Sequence, residues 1–280
     1  MKRREMLLTT GAALLGASAF PLGWVAAAEE KKQKVLYYTR SAGFKHSVVD
    51  RHGEQYAYSE KLLMEIGEKH NIEVVCSQDP AVFDGDLDQY DAFAFYTTGK
   101  PISDEAKAKL LDAIKGGKGF VGFHSATDTF HAPGVDPYIA MIGAEFITHA
   151  SQQKTMMKVV SPNFPGVGEL GDGFAMLEEW YAFAKFAPDL HVILLQETSG
   201  MHDDPYQRPP YPATWARMHG KGRVFYTSMG HREDVWTNEK FQQVALGGFS
   251  WVLHRADADV TPNIREVAPG ANTLPKPNQK

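Results

Sequence analysis

"GFVGFHSATDTFH" (119–131) opens on an apolar run and closes on polar residues. Gly119 to Phe123 carry no polar side chain, and a short unbroken apolar run is the mark of a strand buried on both faces, as in a parallel sheet. The run then breaks abruptly into His124, Ser125, Asp128 and His131. In open parallel sheets ligands bind beyond the carboxyl ends of the strands, so polar residues at that mouth are candidates for a site.

Working outward, "VLYYT" (35–39), "IEVVC" (72–76) and "AFAFYTT" (92–98) read as strands of the same kind. Between them, Ser47 to His70 carries apolar residues at helical spacing, with Leu62, Leu63 and Ile66 on one side. Ser103 opens a further helix whose first turn is acidic (Asp104, Glu105) and whose end is Lys115-Gly116-Gly117, in accord with cap and dipole preferences. Strands alternating with amphipathic helices predict an α/β fold, a mostly parallel sheet covered on both faces. After Ile139 the pattern is less regular. "QKTMMKVV" (153–160) and "LHVILL" (190–195) read as strands, and "PATWARMH" and "RVFYTSM" flank Gly220-Lys221-Gly222 as a hairpin, so a β-rich insertion is expected. A last helix is expected from Asn238 to His254, burying Phe241, Val244, Ala245, Phe249 and Val252. Residues 255–280 read as an extended tail.

With 280 residues, 43% of them hydrophobic, the chain is long enough for one large domain. Its 29 basic and 34 acidic residues leave a formal net charge of -5 and no basic footprint, which argues against a nucleic-acid partner. Residues 1–28 combine a basic start, an apolar run and the small-residue exit Ala26-Ala27-Ala28, the pattern of an export signal. Arg3-Arg4 resembles a twin-arginine signal, so export to the periplasm is expected, with no membrane span in the mature chain. Cys76 is the single cysteine, so no intrachain disulfide can form. Whether the chain assembles into a homo-oligomer is not legible in the sequence.

Residues immediately after the strands converge on one chemistry. The first strand delivers Arg40 to His46, the third Thr97-Thr98-Gly99, the fourth His124 to Asp128, and "VFYTSM" delivers Gly230 to Asp234. Three histidines thus reach strand mouths from separate parts of the chain. "GFHSA" lacks the nucleophile-elbow pattern, because His124 stands at the third position. The lone Gly43 after strand one is no glycine triplet, so no nucleotide cofactor is expected. Two readings stay open. His46, His124 and His231, with Asp128, Glu179 or Asp234 as oxygen ligand, suit a zinc-like divalent ion. Without a metal, the same imidazoles would hydrogen-bond to a polyol and one would act as general base. Trp180, Tyr181 and Trp215 are candidates for walls against a sugar ring. His131 and His219 are left without a role.

"VLYYTRSAGFKH", "GFVGFHSATDTF", "MIGAEFITH", "LEEWYAF" and "GRVFYTSMGH", in this order, resemble the trehalose-utilisation (ThuA-like) family, related to class I glutamine amidotransferases. The resemblance spans residues 34–254. It implies a flavodoxin-like sheet with His124 at the elbow where the amidotransferase cysteine would stand. It further implies a site of His46, His124, Asp128, His149, Glu179, Tyr181, Trp215 and His231; Thr98, at the mouth of the third strand, and the aromatic Trp180 are expected beside it as substrate contacts. Ala150 departs from the proline usual after that histidine. The family is associated with sugar catabolism, especially of 3-keto disaccharide derivatives. The expectation is therefore an enzyme cleaving a 3-keto-glycoside by hydrolysis or elimination, with His124 or His231 as base and Asp128 and Glu179 orienting imidazoles or protonating the leaving oxygen. The alternatives are a non-catalytic carbohydrate-binding protein and a metal-dependent amidase or esterase.

Overall fold

The computed structural model of the protein describes residues 32–274. The export-signal reading of residues 1–28 lies outside them. In chain order the elements are β1 (Gln33–Tyr38), α1 (Tyr58–Lys69), β2 (Ile72–Ser77), β3 (Ala92–Phe95), α2 (Asp104–Gly116) and β4 (Gly119–Phe123). There follow α3 (Pro137–Ile142), β5 (Glu145–His149), β6 (Gln153–Val159), β7 (Gly173–Glu178), β8 (Tyr181–Ala184) and β9 (His191–Gln196). The chain closes with β10 (Tyr211–His219), β11 (Gly222–Thr227), α4 (Glu233–Trp236), α5 (Glu239–Val252) and α6 (Ile264–Val267).

Nine strands form one sheet in the order β2-β1-β3-β4-β11-β10-β9-β6-β7. The first five are mutually parallel. Counting β11 as the fifth strand, their order is the doubly wound 2-1-3-4-5 arrangement of flavodoxin. The remaining four continue the sheet antiparallel, and β5 pairs with β8 as a separate ribbon. The α/β expectation with a β-rich insertion therefore holds.

Alternation along the strands divides the core into two layers. Val35, Tyr37, Val121 and Phe123 face α1 and α5, packing with Leu63, Phe241 and Phe249. Leu36, Phe93, Phe95 and Phe120 face the other way, toward Leu110 and Ile114 of α2 and Ile139 of α3. Ser103 caps α2 as expected, its Oγ accepting from Ala106 N at 3.1 Å, and Asn238 caps α5, its Oδ1 accepting from Lys240 N at 3.0 Å.

Two local expectations are corrected. The helix anticipated from Ser47 begins only at Tyr58, because His52 (φ 48°) and Gly53 (φ 84°) turn the backbone left-handed and break it. Beyond Arg255 the described tail, up to residue 274, is docked rather than extended. Ile264, Ala268 and Ala271 are buried, Asn263 Oδ1 accepts from Val192 N at 2.6 Å, and the Arg208 guanidinium donates to the carbonyl of Ala271. A few well-spaced apolar residues with backbone partners hold this segment on the sheet.

Candidate metal centre

Each loop at the sheet's carboxyl end is held by its own scaffold. Thr98 Oγ1 accepts from Gly43 N at 3.1 Å and donates to Phe44 O at 2.8 Å, fixing the loop that presents His46. Gly99 must be glycine there: its φ is 67°, and a Cβ would meet the Ala42 carbonyl carbon at 2.9 Å. Thr98, expected as a substrate contact, thus spends its hydroxyl on the loop.

β4 ends at Phe123, and His124, the next residue, is fully buried with φ 39°. A left-handed non-glycine residue costs of order 1–3 kcal/mol and persists where its surroundings over-determine it. Here they do. The ring donates from Nδ1 to Ser228 O at 2.8 Å, and Tyr226 OH donates to the His124 carbonyl at 2.6 Å. With Nδ1 protonated, the neutral ring offers its Nε2 lone pair to the site.

β11 delivers His231 through Gly230, whose backbone is also left-handed. The turn is clamped by Glu178, a residue the sequence reading passed over. It is fully buried, and its Oε2 accepts from Gly230 N at 2.8 Å and His231 N at 3.1 Å, while Oε1 accepts from Glu179 N at 2.8 Å. Burial pushes its carboxyl up to about 7, against the pull of these donors. Its signal was available: Phe174, Met176 and Glu178 share the inward parity of β7.

These loops bring together His46, His124, Glu179 and His231, whose ligand atoms all lie within 4.8 Å of one another. Glu179 Oε2 is 3.1 Å from His231 Nδ1 and 3.4 Å from His124 Nε2, and those two nitrogens are 3.3 Å apart. A tetrahedral ion with bonds of about 2.0–2.1 Å has ligand-to-ligand edges of about 3.3–3.4 Å, so the triangle has the size of one tetrahedral face.

Burial and the neighbouring His124 and His231 push His46 down to about 2, so its imidazole is neutral. Burial likewise lowers His124. Burial alone would raise Glu179, yet the neighbouring His124 and His231 imidazoles hold it well below the usual carboxylate range. In His231 the burial penalty is outweighed by Glu179, and its pKa rises. His46 and His124 held neutral beside an ionised Glu179 match the protonation states a divalent cation needs, and His231 would give up its proton on ligation. His46 also buries its Nδ1 without a hydrogen-bond partner among the described residues.

The other expected residues separate into those near the cluster and those away from it. Tyr181 lies against it, its hydroxyl 3.3 Å from His46 Nε2 and its ring centre 4.0 Å from that of His124. His149 is at the rim, 43% exposed at its side chain, with Nδ1 3.3 Å from Glu179 Oε1. Asp128 instead pairs with His131 at 2.6 Å, and Asp234 with Arg232 at 2.8 Å, so neither belongs to the cluster. Trp180 and Trp215 are sealed in the core, donating to Gln153 O at 2.8 Å and Ile142 O at 2.7 Å. Neither can form a sugar wall, because a buried indole settles where its N–H finds a backbone partner.

A flavodoxin-order sheet with a His3Glu cluster at the carboxyl ends of its parallel strands defines an α/β protein with a candidate site at the sheet's mouth. The chain belongs to the ThuA (trehalose utilisation) family, whose model matches residues 34–252. It is similar in fold to a ThuA-like protein from Bacteroides uniformis (TM-score 0.64, 17% identity, 83% of this chain and 95% of that one). A ThuA-like protein from Parabacteroides merdae gives a TM-score of 0.63 at 15% identity, covering 83% of this chain and 94% of that one. A β-galactosidase from Bacillus circulans shares the fold at 11% identity and TM-score 0.50, over 79% of this chain and 31% of the other. No curated protein matches the chain.

Proposed function

We propose that this protein is a metal-dependent, exported carbohydrate-processing enzyme that cleaves a glycoside oxidised at C3, such as a 3-keto derivative of trehalose. The observation that carries the metal reading is the triangle of His124, His231 and Glu179 with His46 beside it. The sugar reading rests on membership of a family described as trehalose utilisation. Export rests on Arg3-Arg4 and the apolar run after it. No helix among the described residues is long and apolar enough to cross a membrane.

His46, His124, Glu179 and His231 would hold a divalent cation, which would supply Lewis acidity toward a carbonyl oxygen. The protein's own groups do the rest. A 3-keto group acidifies the C–H at C2, and a general base removes that proton. The electron pair forms the C1=C2 bond, the C1–O bond to the leaving sugar breaks, and the leaving oxygen takes up a proton. Adding water to the enone turns elimination into net hydrolysis. We assign the base role to His149 in place of His124 or His231, whose site-facing nitrogens would be taken up in holding the ion. Donation from its Nδ1 toward Glu179 and the Ala150 carbonyl, 3.1 Å away, leaves Nε2 as the basic nitrogen at the rim.

The test is incubation of the purified protein, with and without chelator, with disaccharides and their 3-keto forms, followed for new reducing ends or enones. Chelator-sensitive cleavage is expected. Binding without turnover would make the protein a carbohydrate-binding one, and turnover of amides or esters alone would discard the sugar reading.

A further inference from the structure

Seven buried side-chain atoms among the described residues have no hydrogen-bond partner, and four of them belong to His46, Tyr96, Ser125 and Ser228. His46 is a cluster residue, Ser125 follows His124 in the chain, and the Ser228 carbonyl holds the His124 ring. The unspent polar capacity of the core is concentrated at the centre. Tyr96 is the member with the longest reach.

Tyr96 follows β3 and is fully buried. Its ring centre lies 5.4 Å from that of His46 and 5.8 Å from that of His124. The groups whose charge bears on its hydroxyl are Tyr181, Glu178, Tyr37 and Glu179, three of which line or support the centre. Tyr37 makes an instructive contrast. It is equally buried in the same core layer, but its hydroxyl donates to Ser59 Oγ at 3.1 Å. A phenol buried without a partner costs folding free energy, and phenylalanine would fill the same space without that cost. Such a group is explained when its partner arrives with a ligand.

We infer that the Tyr96 hydroxyl contacts substrate, donating a hydrogen bond to an oxygen of the molecule bound at the centre. On the reading above, on which the ligand class rests, that oxygen is a carbonyl or hydroxyl oxygen of a 3-keto sugar. Tyr96 is then a catalytic residue absent from every motif in the sequence that pointed to the site, since "AFAFYTT" reads as plain strand.

The test compares wild type, Tyr96→Phe and Tyr37→Phe by thermal unfolding and by calorimetric titration with 3-keto-trehalose and, as a sugar-free oxygen ligand, acetate. Tyr96→Phe is expected to melt at or above the wild-type temperature and to bind about tenfold more weakly. Tyr37→Phe should melt lower and bind as wild type does. If wild type binds acetate but not the sugar, the function reading falls while the acetate comparison still decides Tyr96. The inference is overturned if Tyr96→Phe is less stable than wild type, if it binds the accepted ligand equally well, or if wild type binds neither ligand.

Discussion

Glu179 Oε2 stands 3.1 Å from His231 Nδ1, a contact between the β7–β8 connection and the turn that follows β11. The two residues reach each other because Glu178, one place earlier, accepts the backbone N–H groups of Gly230, His231 and Glu179 together. One buried carboxylate therefore aligns two cluster residues from distant parts of the chain.

Protein purified without chelator should contain close to one divalent ion per chain by elemental analysis. Glu179→Gln and the double variant His124→Ala/His231→Ala should contain almost none. Removing two ligands leaves too few to hold an ion, and removing the carboxylate takes away the charge that balances it. A fully active wild type with no stoichiometric ion would end the metal reading.

Glu178→Gln should behave as a disruptive change in spite of its shape. Both carboxylate oxygens accept N–H groups, so the amide nitrogen of a glutamine would face a backbone donor on one side or the other. Leaving buried donors unmatched costs about 1–3 kcal/mol. Denaturant titration should show that loss, and metal affinity should fall with it because His231 and Glu179 lose their alignment.

Stability of the metal-free protein should fall as pH drops below about 6.5, the ordinary imidazole value. His46 is depressed to about 2 when folded, so below that pH the unfolded chain binds a proton that the folded chain does not. A fully developed difference of this kind is worth about 1.4 kcal/mol per pH unit, present above the unfolded pKa and lost as pH falls. Urea unfolding at pH 7.5 and pH 5 measures it, and His46→Gln should flatten the slope.

Trp215→Phe should lower the melting temperature and leave sugar affinity unchanged. The indole donates to Ile142 O at 2.7 Å and lies on Tyr226, ring centres 4.3 Å apart. Losing that hydrogen bond and part of the contact costs roughly 1–2 kcal/mol. A selective loss of sugar binding would instead restore Trp215 to the site.

The sequence by itself determined the parallel half of the fold and the address of the site. Unbroken apolar runs such as Gly119 to Phe123 have one stable environment, the interior of a covered parallel sheet, and polar residues after them fall at its carboxyl edge. His46, His124 and His231 were legible for that reason, as were the Ser103 cap and the hairpin at Gly220. Only the tertiary structure decided which carboxylate joins them. Asp128, Glu179 and Asp234 have the same chemistry, and the choice of Glu179 follows from pairing with His131 and Arg232 elsewhere. Burial of Trp180 and Trp215, the clamp at Glu178 and the partnerless Tyr96 hydroxyl were likewise decided in three dimensions. A side chain's hydrogen-bond partners come from strands far apart in the chain, and no local pattern records them.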